Sequence, residues 1–273
     1  MILMKKYVRL SLITLLPFLL CSCKGKNGGD TPVDDKEYKV LFIGNSFTYF
    51  NDMPTIVNKI ASDAGINIKM DTKMYAVGAH TLLEDCDYND SLGRKIQDDL
   101  KVNQYTDIIL QDKSNYPYNH YNEFCDGIEG MKKIIEKSQE NARISLYETW
   151  GYNSESLTKP IPEMEGLIRS NTKLAARKFG GLNICYVGEA FTYIYENYSS
   201  YNLFGSDDKH PNYLGSYLAA LVFVSSLSEK HITNVAYRGE EGKKTAQGND
   251  AWVTETEQRV LIEVAEKVVF GTH

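Results

Sequence analysis

The sequence predicts an α/β domain in three layers: a five-stranded parallel sheet with helices on both faces. Two observations predict it. Five short apolar runs alternate with stretches of helical spacing, the pattern of parallel strands joined by helical crossovers. In addition, Ser46, Gly78, Gln111 and Glu148 each follow a predicted strand. That sets all four on the rim beyond the strands' carboxyl ends, where ligands of such sheets bind.

The elements follow in order. Tyr38–Ile43 reads as a buried strand that runs straight into Gly44-Asn45-Ser46. Asp52 stands where it can cap a helix with Met53 and Pro54 in its first turn; this helix is predicted to reach about Ala64, where Gly65 stops it. Ile66–Met70 alternates like a second strand and leads toward Tyr75-Ala76-Val77-Gly78. A helix is predicted over Ser91–Val102, then a third strand over Thr106–Gln111, apolar enough to be buried on both faces. Asn122–Asn141 has helical spacing, and Ile144–Tyr147 is a predicted fourth strand. Pro160–Phe179 is predicted as a helix closed by Gly180 and Gly181, Leu182–Val187 as the fifth strand, and Glu189–Tyr198 as a helix. Tyr213–Leu227 is apolar but short, and it contains Ser216 and Ser225, so a core helix is expected. Asn249–Phe270 is expected to form a last amphipathic helix.

The first 22 residues read as an export signal: Lys5, Lys6 and Arg9 precede an apolar Leu10–Leu20 that is too short to span a bilayer. Leu20-Cys21-Ser22-Cys23 resembles the lipobox of bacterial lipoproteins. The resemblance implies cleavage after Ser22 and a lipid anchor on Cys23, with several acyl chains giving stable attachment. Residues 23–37 read as a flexible tether rich in Gly, Lys and Asp, and 38–273 as one domain without repeats. The expected location is therefore the bacterial cell envelope, exported and lipid-anchored, facing the periplasm or the surface.

Formal net charge is −6, and removing the signal's cations makes it more negative, which argues against nucleic acid as a partner. Cys86, Cys125 and Cys185 lack metal-type spacing; Cys185 reads as a core residue, and a Cys86–Cys125 disulfide stays open. His120, His231 and His273 show no ligand pattern, so neither a metal nor a cofactor is expected.

The chemistry lies in Ser46, at the end of the first strand, and in Asp207-Asp208-Lys209-His210-Pro211 far downstream. A hydroxyl nucleophile, an imidazole base and a carboxylate to orient it are the groups acyl transfer uses. The i, i+3 spacing favours Asp207 over Asp208 as the partner of His210.

Gly44-Asn45-Ser46, Gly78, the strand end at Gln111 and Asp207 with His210 together resemble the blocks of the SGNH (GDSL-type) hydrolases. The Gly-Asn-Ser-Phe-Thr opening with His210-Pro211-Asn212 is similar to a branch found in Bacteroidetes lipoproteins. The resemblance covers nearly the whole of 38–273. It implies the SGNH hydrolase fold, flavodoxin-like in its sheet, and a carboxylic ester hydrolase with a serine nucleophile. Ser46 would attack from the start of a helix, His210 would act as base and then acid, and Asp207 would fix the imidazole tautomer. The backbone N–H groups of Ser46 and Gly78 and one side-chain amide would form the oxyanion hole. Asn45 stands where the family usually has aspartate, outside the triad. Gln111, in Leu110-Gln111-Asp112-Lys113-Ser114, stands where the family has an asparagine. Gln111 is expected to be the third donor, with Asn115 as the alternative and Asn45 behind it.

Asn45, His80, Glu148 and Trp150 are candidate substrate contacts; Glu148 and Trp150 could equally close the core. Two tyrosine-rich stretches, Tyr116–Tyr121 and Tyr193–Tyr201, suit sugar stacking or loop packing. The expected substrate is an acylated glycan or another small ester, acetyl first among acyl groups. The alternatives are a lipase- or thioesterase-like hydrolase of longer chains and a catalytically inactive glycan-binding lipoprotein. A flavodoxin-like nucleotide or flavin binder fits poorly, because Asn45-Ser46-Phe47-Thr48 is only a partial phosphate loop.

Overall fold

A computed structural model describes residues 36–153 and 156–271; the signal segment, Cys23, all but the end of the tether and His273 lie outside them. The chain begins β1 (Lys36–Gly44), α1 (Ser46–Tyr49), α2 (Met53–Asp63), β2 (Ile68–Ala76), α3 (Leu82–Cys86), α4 (Ser91–Val102) and β3 (Asp107–Leu110). It continues α5 (Tyr116–Asn119), α6 (Tyr121–Ile135), β4 (Arg143–Glu148), α7 (Pro160–Lys178), β5 (Asn183–Tyr186) and α8 (Val187–Asn197). Then come α9 (Tyr213–Ser228), β6 (Gly239–Lys244), β7 (Asp250–Trp252) and α10 (Glu255–Phe270).

β1 to β5 form a wholly parallel sheet in the order β2-β1-β3-β4-β5. Side chains alternate across β1 with the two-residue period of a strand. Tyr38, Val40 and Phe42 join a core with α2, α8, α9 and α10, whereas Leu41 and Ile43 join a second core with α3, α4 and α6. The three layers expected from the alternation of elements are therefore present. Register sets Ile43 beside Leu110 and Gly44 beside Ala76, so the loops after β1, β2 and β3 emerge at one end of the sheet.

α9 is buried at 14 of its positions and apolar around its circumference, as a helix packed on all sides must be. Among the described residues, no helix is long and apolar enough to cross a membrane.

Several boundaries differ from expectation. β2 starts after Asn67, whose φ of 53° interrupts the extended backbone, and then runs unbroken to Ala76. Asp52 occupies the N-cap position of α2 in a left-handed conformation, but its side chain makes no capping bond. The last segment is not one helix. Asp250–Trp252 pairs antiparallel with Gly239–Lys244, and α10 begins only after Thr254, which forms a capping box with Glu257. Cys86, Cys125 and Cys185 are free thiols, so no Cys86–Cys125 bridge forms.

Candidate active site

The turn that carries Ser46 is held from beneath. Gly44 ends β1 in a space with no room for a side chain: a Cβ would lie 2.6 Å from Gln111 Oε1 and 2.7 Å from Thr48 Oγ1. Gln111 Oε1 accepts the backbone N–H of Asn45 at 2.9 Å and the Thr48 hydroxyl at 3.0 Å. Its Nε2 donates to Asn45 Oδ1 at 2.9 Å and to the Asp112 carbonyl. Asn45 caps α1 and donates its own amide to the carbonyls of His80 and Asp112, each at 3.1 Å. These two buried amides tie together the exits of β1, β2 and β3. The expectation that Gln111 supplies the third oxyanion donor is corrected: both amide hydrogens are bonded, and the residue is 1% exposed. Asn45, 2% exposed, is likewise no substrate contact.

The imidazole arrives from the loop between α8 and α9. An isolated bridge between Phe204 and Pro211 closes this loop, and Gly205 donates its N–H to the His210 carbonyl at 2.8 Å. Asp207 Oδ1 accepts the backbone N–H groups of Lys209 at 3.1 Å and His210 at 2.9 Å, while its Oδ2 lies 2.5 Å from His210 Nδ1. His210 Nε2 lies 2.8 Å from Ser46 Oγ. A carboxylate on Nδ1 keeps the proton there and turns the Nε2 lone pair toward the hydroxyl. Partial burial works against ionisation of Asp207, but bonds from the His210 ring and the two backbone N–H groups outweigh it and hold its pKa below the ordinary value. Asp208, its rival, contributes backbone bonds to Gly205 and Asn153.

Aromatic rings hold this arm in place. Phe50 stacks on His210 at 4.3 Å with an interplanar angle of 11°, and Phe47 meets it nearly edge-on at 5.6 Å. Trp150 lies between Phe47 at 4.3 Å and Phe191 at 4.1 Å, and donates its indole N–H to the Lys209 carbonyl at 2.9 Å. Asn51, at φ 55°, donates its amide to the Pro211 carbonyl at 3.0 Å and to Ser216 Oγ at 2.8 Å. Its backbone N–H reaches Gln247 and its Oδ1 accepts from Asn249, both on the β6–β7 hairpin. Phe50 and Asn51 were not singled out in the sequence. An Asn-Asp pair directly after a short helix was the available signal, since Asn tolerates the left-handed region.

The turn after β2 carries Gly78 beside the end of β1. Val77 N–H bonds the Gly44 carbonyl at 3.3 Å, and His80 N–H bonds the Val77 carbonyl at 3.2 Å. The left-handed residue of this turn is Ala79, φ 60°, and not Gly78. Gly78 matters for clearance: a Cβ there would lie 3.2 Å from the Tyr49 hydroxyl. Among the described residues, neither Ser46 N–H nor Gly78 N–H has an intramolecular acceptor. α1 is a single turn, so the gain at Ser46 is the local N–H rather than a long helix dipole.

The remaining candidates are structural. His80 places Nδ1 2.9 Å from Asp85 and Nε2 3.7 Å from Asp90, so both ring nitrogens face carboxylates instead of a substrate. Burial pushes Asp85 and the neighbouring Asp112 up to about 7. Glu148 is fully buried; it accepts the Glu189 N–H at 3.2 Å, and burial beside Glu165 raises its pKa well above the ordinary value. Trp150 is fully buried as well. Trp150 and Glu148 are therefore corrected from substrate contacts to buried groups, Trp150 bracing the His210 loop and Glu148 accepting from the start of α8, while the His80 ring is engaged by Asp85. Among the described residues, no cluster of three or more His, Cys, Asp or Glu side chains is arranged to hold a metal.

No family model matches the chain, and no curated protein matches it. Solved structures do. A DUF4886 family protein from Bacteroides uniformis is 17% identical, with a TM-score of 0.71 over 86% of this chain and 95% of that one. A protein from Slackia heliotrinireducens assigned to the SGNH hydrolases is 20% identical, with a TM-score of 0.60 over 70% of this chain and 100% of its own. An acetylxylan esterase from Geobacillus stearothermophilus is 13% identical, with a TM-score of 0.50 over 70% and 94%. With its five parallel strands, two helical layers and rim of strand-end loops, the chain has the fold of the SGNH hydrolases.

Proposed function

We propose that this protein is a serine esterase that removes O-acetyl or other small acyl groups from glycans. One observation carries the reading: His210 spans Ser46 at 2.8 Å and Asp207 at 2.5 Å through its two ring nitrogens. In this mechanism His210 Nε2 takes the Ser46 proton as Oγ attacks the ester carbonyl, and later returns it to the leaving sugar hydroxyl. Water then cleaves the acyl-serine by the same route, regenerating Ser46 and releasing the acid. The N–H groups of Ser46 and Gly78 receive the developing oxyanion. Asn115 is the third donor: it is half-buried on the loop after β3, and its amide makes one long bond, 3.3 Å, to Asn119. The acetylxylan esterase of the same fold supports the choice of acyl glycans. An inactive binding role loses its motive, because Gln111 has a structural task.

The deciding measurement is release of acetate from acetylated polysaccharides, together with labelling of Ser46 by a fluorophosphonate. Ser46→Ala should lose both, with at least a ~10³-fold fall in turnover and an unchanged melting temperature. Retained turnover rejects Ser46 as nucleophile. We also place the protein at the cell envelope through lipid on Cys23. Palmitate labelling that persists in Cys23→Ser would reject that anchor.

A further inference from the structure

Beside the His210 loop lies a cleft of about 450 Å³, lined among others by Asn153, Phe191, Tyr195, Ser199, Tyr201 and Asp208. Its size falls within the range of small-ligand sites. The cleft is joined to the candidate triad in two ways. Asp208 lines it, while Asp207, the residue before, holds His210. Its Phe191 wall is the last ring of the stack that runs through Trp150 to Phe47, the neighbour of Ser46. The cleft therefore lies against the same loop and the same buried ring stack that hold His210.

Its lining chemistry selects among ligands. Tyr195 is half exposed, and Tyr201 is braced edge-on by Tyr198 at 5.8 Å, so the cleft offers two tyrosine rings, one of them held by a neighbour. Around them stand two amides (Asn153 and Asn202), a serine hydroxyl and one carboxylate, with no lysine or arginine in the lining. Among the described residues, the Asp208 carboxylate and the Ser199 hydroxyl have no intramolecular hydrogen-bond or ion-pair partner. Without a cation the cleft has no partner for an anionic group. The mixed lining equally disfavours a bare acyl chain, because chain burial would strand the carboxylate. A sugar ring suits it: its C–H face packs on tyrosine, and its hydroxyls donate to Asp208 and exchange bonds with amide and hydroxyl.

We infer that this cleft is a subsite for a neutral sugar residue, one unit beyond the residue that carries the ester. The inference rests on the esterase reading for its register, but not for binding itself. The second tyrosine-rich stretch, Tyr193–Tyr201, thereby gains a role in recognition.

The test has two arms. Binding of xylohexaose, cellohexaose and mannohexaose to the Ser46→Ala protein is measured by isothermal titration calorimetry, with and without Tyr195→Ala and Asp208→Asn. At least one hexasaccharide should bind, and the double change should weaken it tenfold or more; both positions are exposed, and an unchanged melting temperature checks folding. In the second arm, kcat/KM for the acetylated form of that hexasaccharide is divided by kcat/KM for p-nitrophenyl acetate. The double change should lower this ratio at least tenfold. Absence of binding to all three sugars, or equal changes with both esters, would overturn the subsite. Tyr195-dependent binding without turnover or fluorophosphonate labelling would leave the subsite standing and remove the esterase reading instead.

Discussion

The indole N–H of Trp150 donates to the carbonyl oxygen of Lys209 at 2.9 Å, so the residue just past the fourth strand fixes the one before His210. Stacking between Phe47 and Phe191 prevents the indole from turning away. Loss of this one bond should loosen the imidazole without unfolding the core. Trp150→Phe removes this bond and part of a fully buried ring system, so it should cost about 2–3 kcal/mol of stability and lower kcat with little change in KM. Trp150→Ala leaves a cavity and should cost about 3–5 kcal/mol. Chemical denaturation alongside steady-state kinetics separates the two; a Trp150→Phe protein of full kcat would show the bond to be irrelevant to catalysis.

Asp207→Asn keeps the shape of the His210 partner but removes its charge and its preference for Nδ1–H. kcat should fall by up to about 10⁴-fold, as in the serine protease precedent, with fluorophosphonate labelling slowed in parallel. Because the Asp207 pKa is below the ordinary value, its stabilising contribution is complete above that value and is lost as pH falls through the lowered one. The variant should therefore lose part of the wild-type decline in melting temperature on acidification.

Gln111 and Asn115 should separate by readout. Gln111→Ala leaves the Asn45 N–H and the Thr48 hydroxyl buried without their acceptor, at a cost of about 2–4 kcal/mol. Asn115→Ala should leave the melting temperature in place and lower kcat roughly 10²-fold or more, the effect of removing one oxyanion donor. If the Gln111 variant melts normally while kcat collapses, the assignments are reversed.

Asp85 and Asp112 give the fold an inverted pH response. Burial raises both pKa values to about 7, and Asp112 Oδ2 has no hydrogen-bond partner among the described residues. Between the ordinary carboxylate pKa and about 7, the folded state holds more protons than the unfolded state, so this pair favours folding less as pH rises. Asp112→Asn should flatten that part of the melting-temperature profile between pH 5 and 8. An unchanged slope would show that Asp112 does not titrate there.

The sheet was legible because strands such as Tyr38–Ile43 and Thr106–Leu110 are compact apolar runs followed by a turn or a helix, and β2 alternates over its first residues. Ser46, Asp207 and His210 were legible as residue types in order; that they meet is a property of the fold. The supporting shell was not legible. Gln111 and Asn45 read as donors because amides serve either role, and only three-dimensional partners show their hydrogens already engaged. Trp150 at a strand end looks the same whether it meets solvent or lies between two rings. The β6–β7 hairpin escaped notice because its residues carry almost no apolar alternation, and its pairing to Asn51 spans nearly the whole domain.

That last link also ties the turn beside Ser46 to the completion of the fold. Asn51 and Gln247 are 196 residues apart, so the turn beside Ser46 gains this support only when two distant parts of the chain have met. Until the hairpin docks, that turn lacks its bonds to both Gln247 and Asn249, so local order beside Ser46 depends on long-range closure of the fold.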